Sequence, residues 1–131
     1  MLFRSLAIGT QTSASTIRPA SFCGTVGYCA TYNDFRRAGV MEAAGSLDSL
    51  GLFARSVDDI ALFRDVQLGV PHVPLAELPS PPRIGLCRTH LWPQVDAWAQ
   101  QAIEGAAQAL ARAGASVTEL VLPAQIGRAH V

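Results

Sequence analysis

The 131-residue chain contains no lysine: all ten of its cations are arginines. That removes chemistry requiring a lysine amine as base or phosphate ligand, including the P-loop pattern GxxxxGK[ST]. Charge of either sign is scarce, at 15% of residues, and it balances to a formal net charge of zero. There is no basic stripe to suit nucleic acid and no acidic tract to suit a basic partner. Long apolar runs are missing as well, so no segment reads as a membrane span. The amino end, MLFRSLAIGT, lacks the long apolar core of a signal peptide. Cysteine is limited to Cys23, Cys29 and Cys87, an odd number without CxxC spacing. This composition predicts a cytoplasmic protein with buried or idle thiols. Neither cysteine nor histidine clusters at ligand spacing, so neither a metal nor a cofactor is expected.

What is present is enough to fold. Half of the residues are apolar, which allows one domain with a buried core. Leu6–Ile8 is a short apolar run entering a turn, and Thr25–Thr31 (TVGYCAT) has the β-branched and aromatic content of a strand. Residues 32–45 read as loop, and Leu50–Ala54 is a short apolar piece. Ser56-Val57-Asp58-Asp59 then starts a helix: Ser56 suits the cap, Asp59 the capping-box position, and both carboxylates the positive end of the dipole. The helix should run to about Gln67 and stop at Gly69.

Five prolines between Val70 and Pro82 mark an extended connection. A β-α-β pattern follows. Arg83–Cys87 is predicted as a strand and Asp96–Ala113 as a helix, with Val95, Trp98, Ala102, Ala106, Ala109 and Ala113 at helical spacing. Gly114 suits its C-cap, and Val117–Leu122 is the next strand. Strand, helix and strand at this length favour a parallel pair with a right-handed crossover.

The segment Ile8–Gly27, IGTQTSASTIRPASFCGTVG, holds three serines, four threonines and three glycines between apolar flanks. Either it is a wet surface loop, or its backbone bends around something. With RRAGV, GSLDSLGLFARSVDDIALF and PPRIGLCRTH further on, it resembles the amidase signature family over nearly all of residues 6–125. The resemblance rests on an ordered series of motifs. It implies part of a large α/β fold, a mixed sheet flanked by helices, ending here in the β-α-β unit. It also implies amide hydrolysis by a Ser–Ser–Lys triad.

The family pattern, roughly G-T-(D/Q)-T-x-G-S-x-x-R-P-A, maps onto Gly9 through Ala20. Ser15 then aligns with the nucleophile, and the backbone N–H groups of Thr12, Ser13, Ala14 and Ser15 with the oxyanion hole. Small residues would let consecutive amides converge on a developing oxyanion. The triad lysine and second serine belong to a stretch upstream of the motif, so Ser13 is a turn residue by this alignment. Two departures stand out. Ala14 replaces the usual glycine, which would cost about 1 kcal/mol if φ there were positive. GYCATYN replaces G-x-K-P-T-x-G, so Cys29, Ala30 and Asn33 differ from the pattern.

Other polar residues have plainer readings. Arg18 pins the loop, Asp48 holds a turn, and Asp58 and Asp59 are helix-start charges. His72 and His90 are isolated surface residues, whereas Trp92 and Trp98 pack the second unit. The terminal segments IGRAHV (126–131) and MLFRS (1–5) are what a common sequencing adapter and its reverse complement encode. The expected natural sequence is therefore residues 6–125, an internal piece of a longer gene. It comprises a nucleophile-loop part (6–69), the proline-rich connection (70–82) and the β-α-β part (83–125).

The functional expectation is a fragment of an amide hydrolase acting on a small-molecule amide, inactive as this chain alone. The alternative is a non-catalytic scaffold of the same fold. Amidotransferase partner subunits are compatible with the resemblance but not indicated by any residue.

Overall fold

The computed structural model describes residues 5–121. Residues 1–4 and 122–131, with most of the two adapter-like segments and the end of the last expected strand, lie outside that range. The described chain is a mixed α/β protein, as expected, and divides into two compact units between Ala76 and Glu77.

The first unit is built on a three-stranded antiparallel sheet of order β1-β3-β2, with β1 at Leu6–Gln11, β2 at Val26–Cys29 and β3 at Ser49–Ala54. The apolar piece around Leu50–Ala54 is thus the central strand. Its alternation explains that position. Leu50, Leu52 and Ala54 point to one face and are buried with Ala30, Phe35 and Ile60, and Leu52 is fully buried. Burying one such leucine contributes about 1.5–3 kcal/mol. Ile60 belongs to helix α2, Val57–Leu68, which covers this face.

Helix α2 starts and stops where the sequence predicts. The Ser56 hydroxyl accepts the Asp59 N–H at 3.1 Å, and Gly69 ends the helix at φ 68°. Ser56→Ala should therefore destabilise the unit by about 1 kcal/mol, seen as a lower urea midpoint at unchanged slope.

The opposite face carries helix α1, Ile17–Cys23, which the serine- and glycine-rich composition concealed. Three features make it. Pro19 lies in the first turn, where its missing N–H costs nothing. Gly24 closes the helix in the left-handed region at φ 62°. Thr16 at the N-cap makes no capping bond; instead the Gln11 side chain reaches back from β1, its Oε1 accepting the Thr16 and Ile17 N–H groups at 3.0 and 3.1 Å.

The helix lies close to the sheet because two strand residues have no side chain. Thr16 sits over Gly51 of β3, and Ala20 over Gly27 of β2. A Cβ on Gly27 would come within 2.6 Å of the Ala20 Cβ.

Thr16 is completely buried, and its Oγ1 finds no hydrogen-bond partner among the described residues. A buried hydroxyl without a partner costs about 1–3 kcal/mol. Thr16→Val keeps the shape and removes that penalty. It should raise the unfolding free energy by about 1–2 kcal/mol, measured by denaturant titration.

The second unit is a β-α-β element. Strands β4 (Arg83–Leu86) and β5 (Ser116–Glu119) pair in parallel, joined by a short 3-10 turn at Trp92–Gln94 and helix α3, Ala97–Arg112. Arg88 links the parts, donating to Glu104 of α3 at 3.1 Å and Glu119 of β5 at 2.8 Å.

One expectation fails here: Trp98 is 67% exposed rather than packed. The cause is geometric. A four-residue strand spans about 13 Å, whereas a sixteen-residue helix spans about 24 Å, so two short strands leave much of α3 uncovered. No α3 residue is buried. Trp92 is half-buried, with the Arg88 guanidinium 5.7 Å from its ring centre.

Candidate functional site

The β1 ladder ends at the pair Gln11↔Ser49, and α1 begins at Ile17. Between them the chain bends through Thr12–Thr16. Among the described residues, none of the backbone N–H groups of Thr12, Ser13, Ala14 and Ser15 donates to a protein acceptor. Four successive free donors are unusual in folded backbone. Here they flank an open cleft of about 580 Å³, whose wall is completed by Arg18, Pro19 and Phe22.

The segment is held from several directions. The Ser15 hydroxyl donates to the Thr10 carbonyl at 3.0 Å. The Arg18 N–H donates to the Ala14 carbonyl at 2.9 Å, carrying helical bonding back into the bend. The Thr12 hydroxyl donates to Asp48 Oδ1 at 2.5 Å. Gln11, besides capping α1, donates through Nε2 to the Cys29 thiol on β2 at 3.2 Å.

Asp48 is buried immediately before β3, and its Oδ2 accepts the Ala43 and Ala44 N–H groups at 2.7 and 2.9 Å. The Thr12 hydroxyl bond and then the Ala44 N–H hold its carboxyl below the ordinary Asp range, against the opposing effect of burial. Asp65 on α2 behaves similarly. Its bond to His72 Nδ1, 2.9 Å long, lowers its pKa, with help from the Val73 N–H at 3.3 Å.

Both carboxylates have folded pKa values below the unfolded value of about 3.9. The stability they contribute is complete above that value and lost as pH falls through the folded values. Unfolding free energy should therefore drop below about pH 4. Asp48→Asn and Asp65→Asn should each flatten part of that drop in an acid titration followed by circular dichroism.

The bend brings together Thr12, Ser13, Ala14 and Ser15, the four residues aligned with the family's nucleophile loop. Ser13 lies in the bend and makes no described side-chain bond. Ala14 is not in the left-handed region, so alanine there carries no strain from positive φ; among the described non-glycine residues only Asn33 is, at φ 69°. Asn33 stands at the last glycine of G-x-K-P-T-x-G, and asparagine tolerates that conformation best.

The expectation that Arg18 pins the loop is not met. Its guanidinium makes no hydrogen bond or ion pair among the described residues and faces the cleft instead. Asp48 holds its turn as expected and in addition reaches Thr12. His72 is not isolated, because Asp65 holds it.

Gln11 and Asp65 were not legible as structural anchors. Capping rules look for a short polar side chain at the cap itself, whereas Gln11 acts from five residues upstream. Among the described residues, no group of three or more His, Cys, Asp or Glu side chains is placed to hold a metal ion, and no helix is long and apolar enough to cross a membrane.

The α/β framework thus presents this motif on the wall of an open cleft. The chain belongs to the amidase family, whose model, Amidase, matches residues 2–126. It is 36% identical over 132 residues to a glutamyl-tRNA(Gln) amidotransferase subunit from Clostridium botulinum (strain Eklund 17B / Type B), covering 90% of this chain and 27% of that one. It is 35% identical over 124 residues to 2-amino-5-chloromuconic acid deaminase of Comamonas testosteroni, with 90% and 26% covered. Among solved structures, a crystal structure of an amidase superposes with a TM-score of 0.80 at 26% identity, covering 92% of this chain and 27% of that one. The chain thus spans about a quarter of the length of the relatives it matches.

Proposed function

We propose that this chain carries the nucleophile loop of an enzyme that hydrolyses a small-molecule amide to a carboxylate and an amine or ammonia. The observation behind this reading is the bend at Thr12–Ser15: four consecutive N–H groups without protein acceptors among the described residues, next to a serine hydroxyl, on the wall of an open cleft. Ser15 Oγ attacks the amide carbonyl carbon and loses its proton to a base. The carbonyl oxygen becomes an oxyanion that the backbone N–H groups of Thr12, Ser13, Ala14 and Ser15 stabilise. The C–N bond then breaks, the amine leaves with a proton, and water releases the acid from Ser15.

The base lies outside these residues. Serine needs one, and the 131 residues include no lysine, so the chain on its own is inactive in this reading. In this reading the reaction runs in the cytoplasm, which is supported by three cysteines that show no CxxC or paired spacing. The names of the amidotransferase relatives raise a second setting, in which the loop would work within a multi-subunit amidotransferase, alongside partner subunits. Neither setting changes the role of Ser15.

The test is amide hydrolysis by an open reading frame that extends residues 6–125 on both sides and supplies the lysine. Ammonia release should be lost in Ser15→Ala. Retention of full turnover in Ser15→Ala would reject Ser15 as the nucleophile, and no ammonia release from the unmutated protein would leave the non-catalytic scaffold.

A further inference from the structure

We infer that Asp48 is a positioning residue for the Thr12–Ser15 bend, acting through the Thr12 hydroxyl, which its carboxylate holds at 2.5 Å. The inference rests on the proposed role of that bend. It starts from how the two carboxylate oxygens divide their work. Oδ2 accepts the Ala43 and Ala44 N–H groups and so fixes Asp48 to its own turn. The Asp48 N–H closes the same turn onto the Ala44 carbonyl at 2.9 Å. Oδ1 takes no part in that turn; its described partner is Thr12, thirty-six residues earlier in the chain.

Thr12 is where support is most needed. It is the first residue beyond the β1 ladder, which ends at Gln11. The downstream end of the bend is held three times, by Ser15 to Thr10, by Gln11 to the Thr16 and Ile17 amides, and by Arg18 to Ala14. At the upstream end, the described bond is Thr12 to Asp48. A hydrogen bond to an ionised carboxylate is short and about twice as strong as a neutral one, and this acceptor is buried and anchored by two further donors. A free N–H at Thr12 can aim at a developing oxyanion only if the residue does not rotate, since donors of this kind act through preorganisation. Fixing the side chain of Thr12 fixes the peptide next to it.

The test uses the whole 131-residue chain, labelled with 15N, in wild-type form and as Thr12→Val, Thr12→Ser and Asp48→Asn. Thr12→Val removes only the tether. The amide signals of residues 12–15 should shift by more than their linewidths and lose heteronuclear NOE, while those of Leu52 and Ile60 stay in place. Thr12→Ser, which keeps the hydroxyl, should restore the wild-type positions. Asp48→Asn should reproduce the Thr12→Val pattern at residues 12–15 and add shifts at residues 43–44.

Unchanged 12–15 signals in Thr12→Val would overturn the inference. So would shifts spread equally to Leu52 and Ile60, or a loss of the folded spectrum that Thr12→Ser does not repair. The two readings fail separately. A bend that moves with the tether in a protein whose hydrolysis ignores Ser15 rejects the proposed function. A bend that keeps its signals while hydrolysis depends on Ser15 rejects the tether alone.

Discussion

Ammonia release from simple amides is expected to be the same for the 131-residue chain and for its Ser15→Ala variant. A serine hydroxyl is a weak nucleophile until a base removes its proton. Here the Ser15 hydroxyl donates to the Thr10 carbonyl at 3.0 Å, a backbone acceptor that does not take the proton away. No lysine exists in the sequence to do so. Arginine stays protonated throughout the working pH range, and no histidine is among the described residues that line the Ser15 cleft. Loss of either nucleophile or base from a serine hydrolase removes roughly three to six orders of magnitude of rate. Ser15-dependent turnover at about 1 per second or faster, an ordinary enzyme rate, would contradict this expectation. Where an extended reading frame supplies the lysine, Ser15→Ala should cost several orders of magnitude in kcat, and the contrast between the two backgrounds locates the missing base.

Gly51→Ala is expected to be the most damaging single methyl in the first unit. The added Cβ would overlap Thr16, including its Cβ at 2.7 Å. Thr16 cannot turn aside, because it is completely buried between helix α1 and the central strand. Overpacking of this kind costs about 1–3 kcal/mol, sometimes more. For a unit of this size, that lowers the melting temperature by roughly 5–20 °C. Gly9→Ala is the informative comparison: its nearest neighbour is the edge of the Phe53 ring at 2.8 Å, a side chain able to shift, so the loss should be smaller. Thermal denaturation of both variants decides the matter, and equal losses would mean that Thr16 is not clamped. Because Thr16 follows Ser15 directly, Gly51→Ala should also disturb the bend, visible as shifted amide signals at residues 12–15.

The clearest local signals sit in elements that satisfy their own bonds. Ser56 and Gly69 mark the ends of α2 because both caps use backbone groups within a few residues. The strand-helix-strand order of the second unit likewise follows from local periodicity and turn residues. The motif Gly9–Ala20 carries much of the resemblance to the family, and that resemblance is what aligns Ser15 with the family's nucleophile.

What the sequence left hidden depended on distant partners. The helix at residues 17–23 was hidden within Ile8–Gly27, whose hydroxyl residues, glycines and proline are weak helix formers; the helix exists because Gln11 caps it from β1 and because Gly51 and Gly27 leave room beneath it. The strand at Ser49–Ala54 was legible as apolar, but its central place in the sheet comes from pairing with strands more than twenty residues away. Asp48 was legible as a turn residue from its neighbours in sequence, and the tether to Thr12 was not, since it joins residues that only the folded sheet brings together. Local bonding determines where elements begin and end. Tertiary packing determines which of them meet, and at this site it decides how a flexible serine-rich segment is held in one conformation.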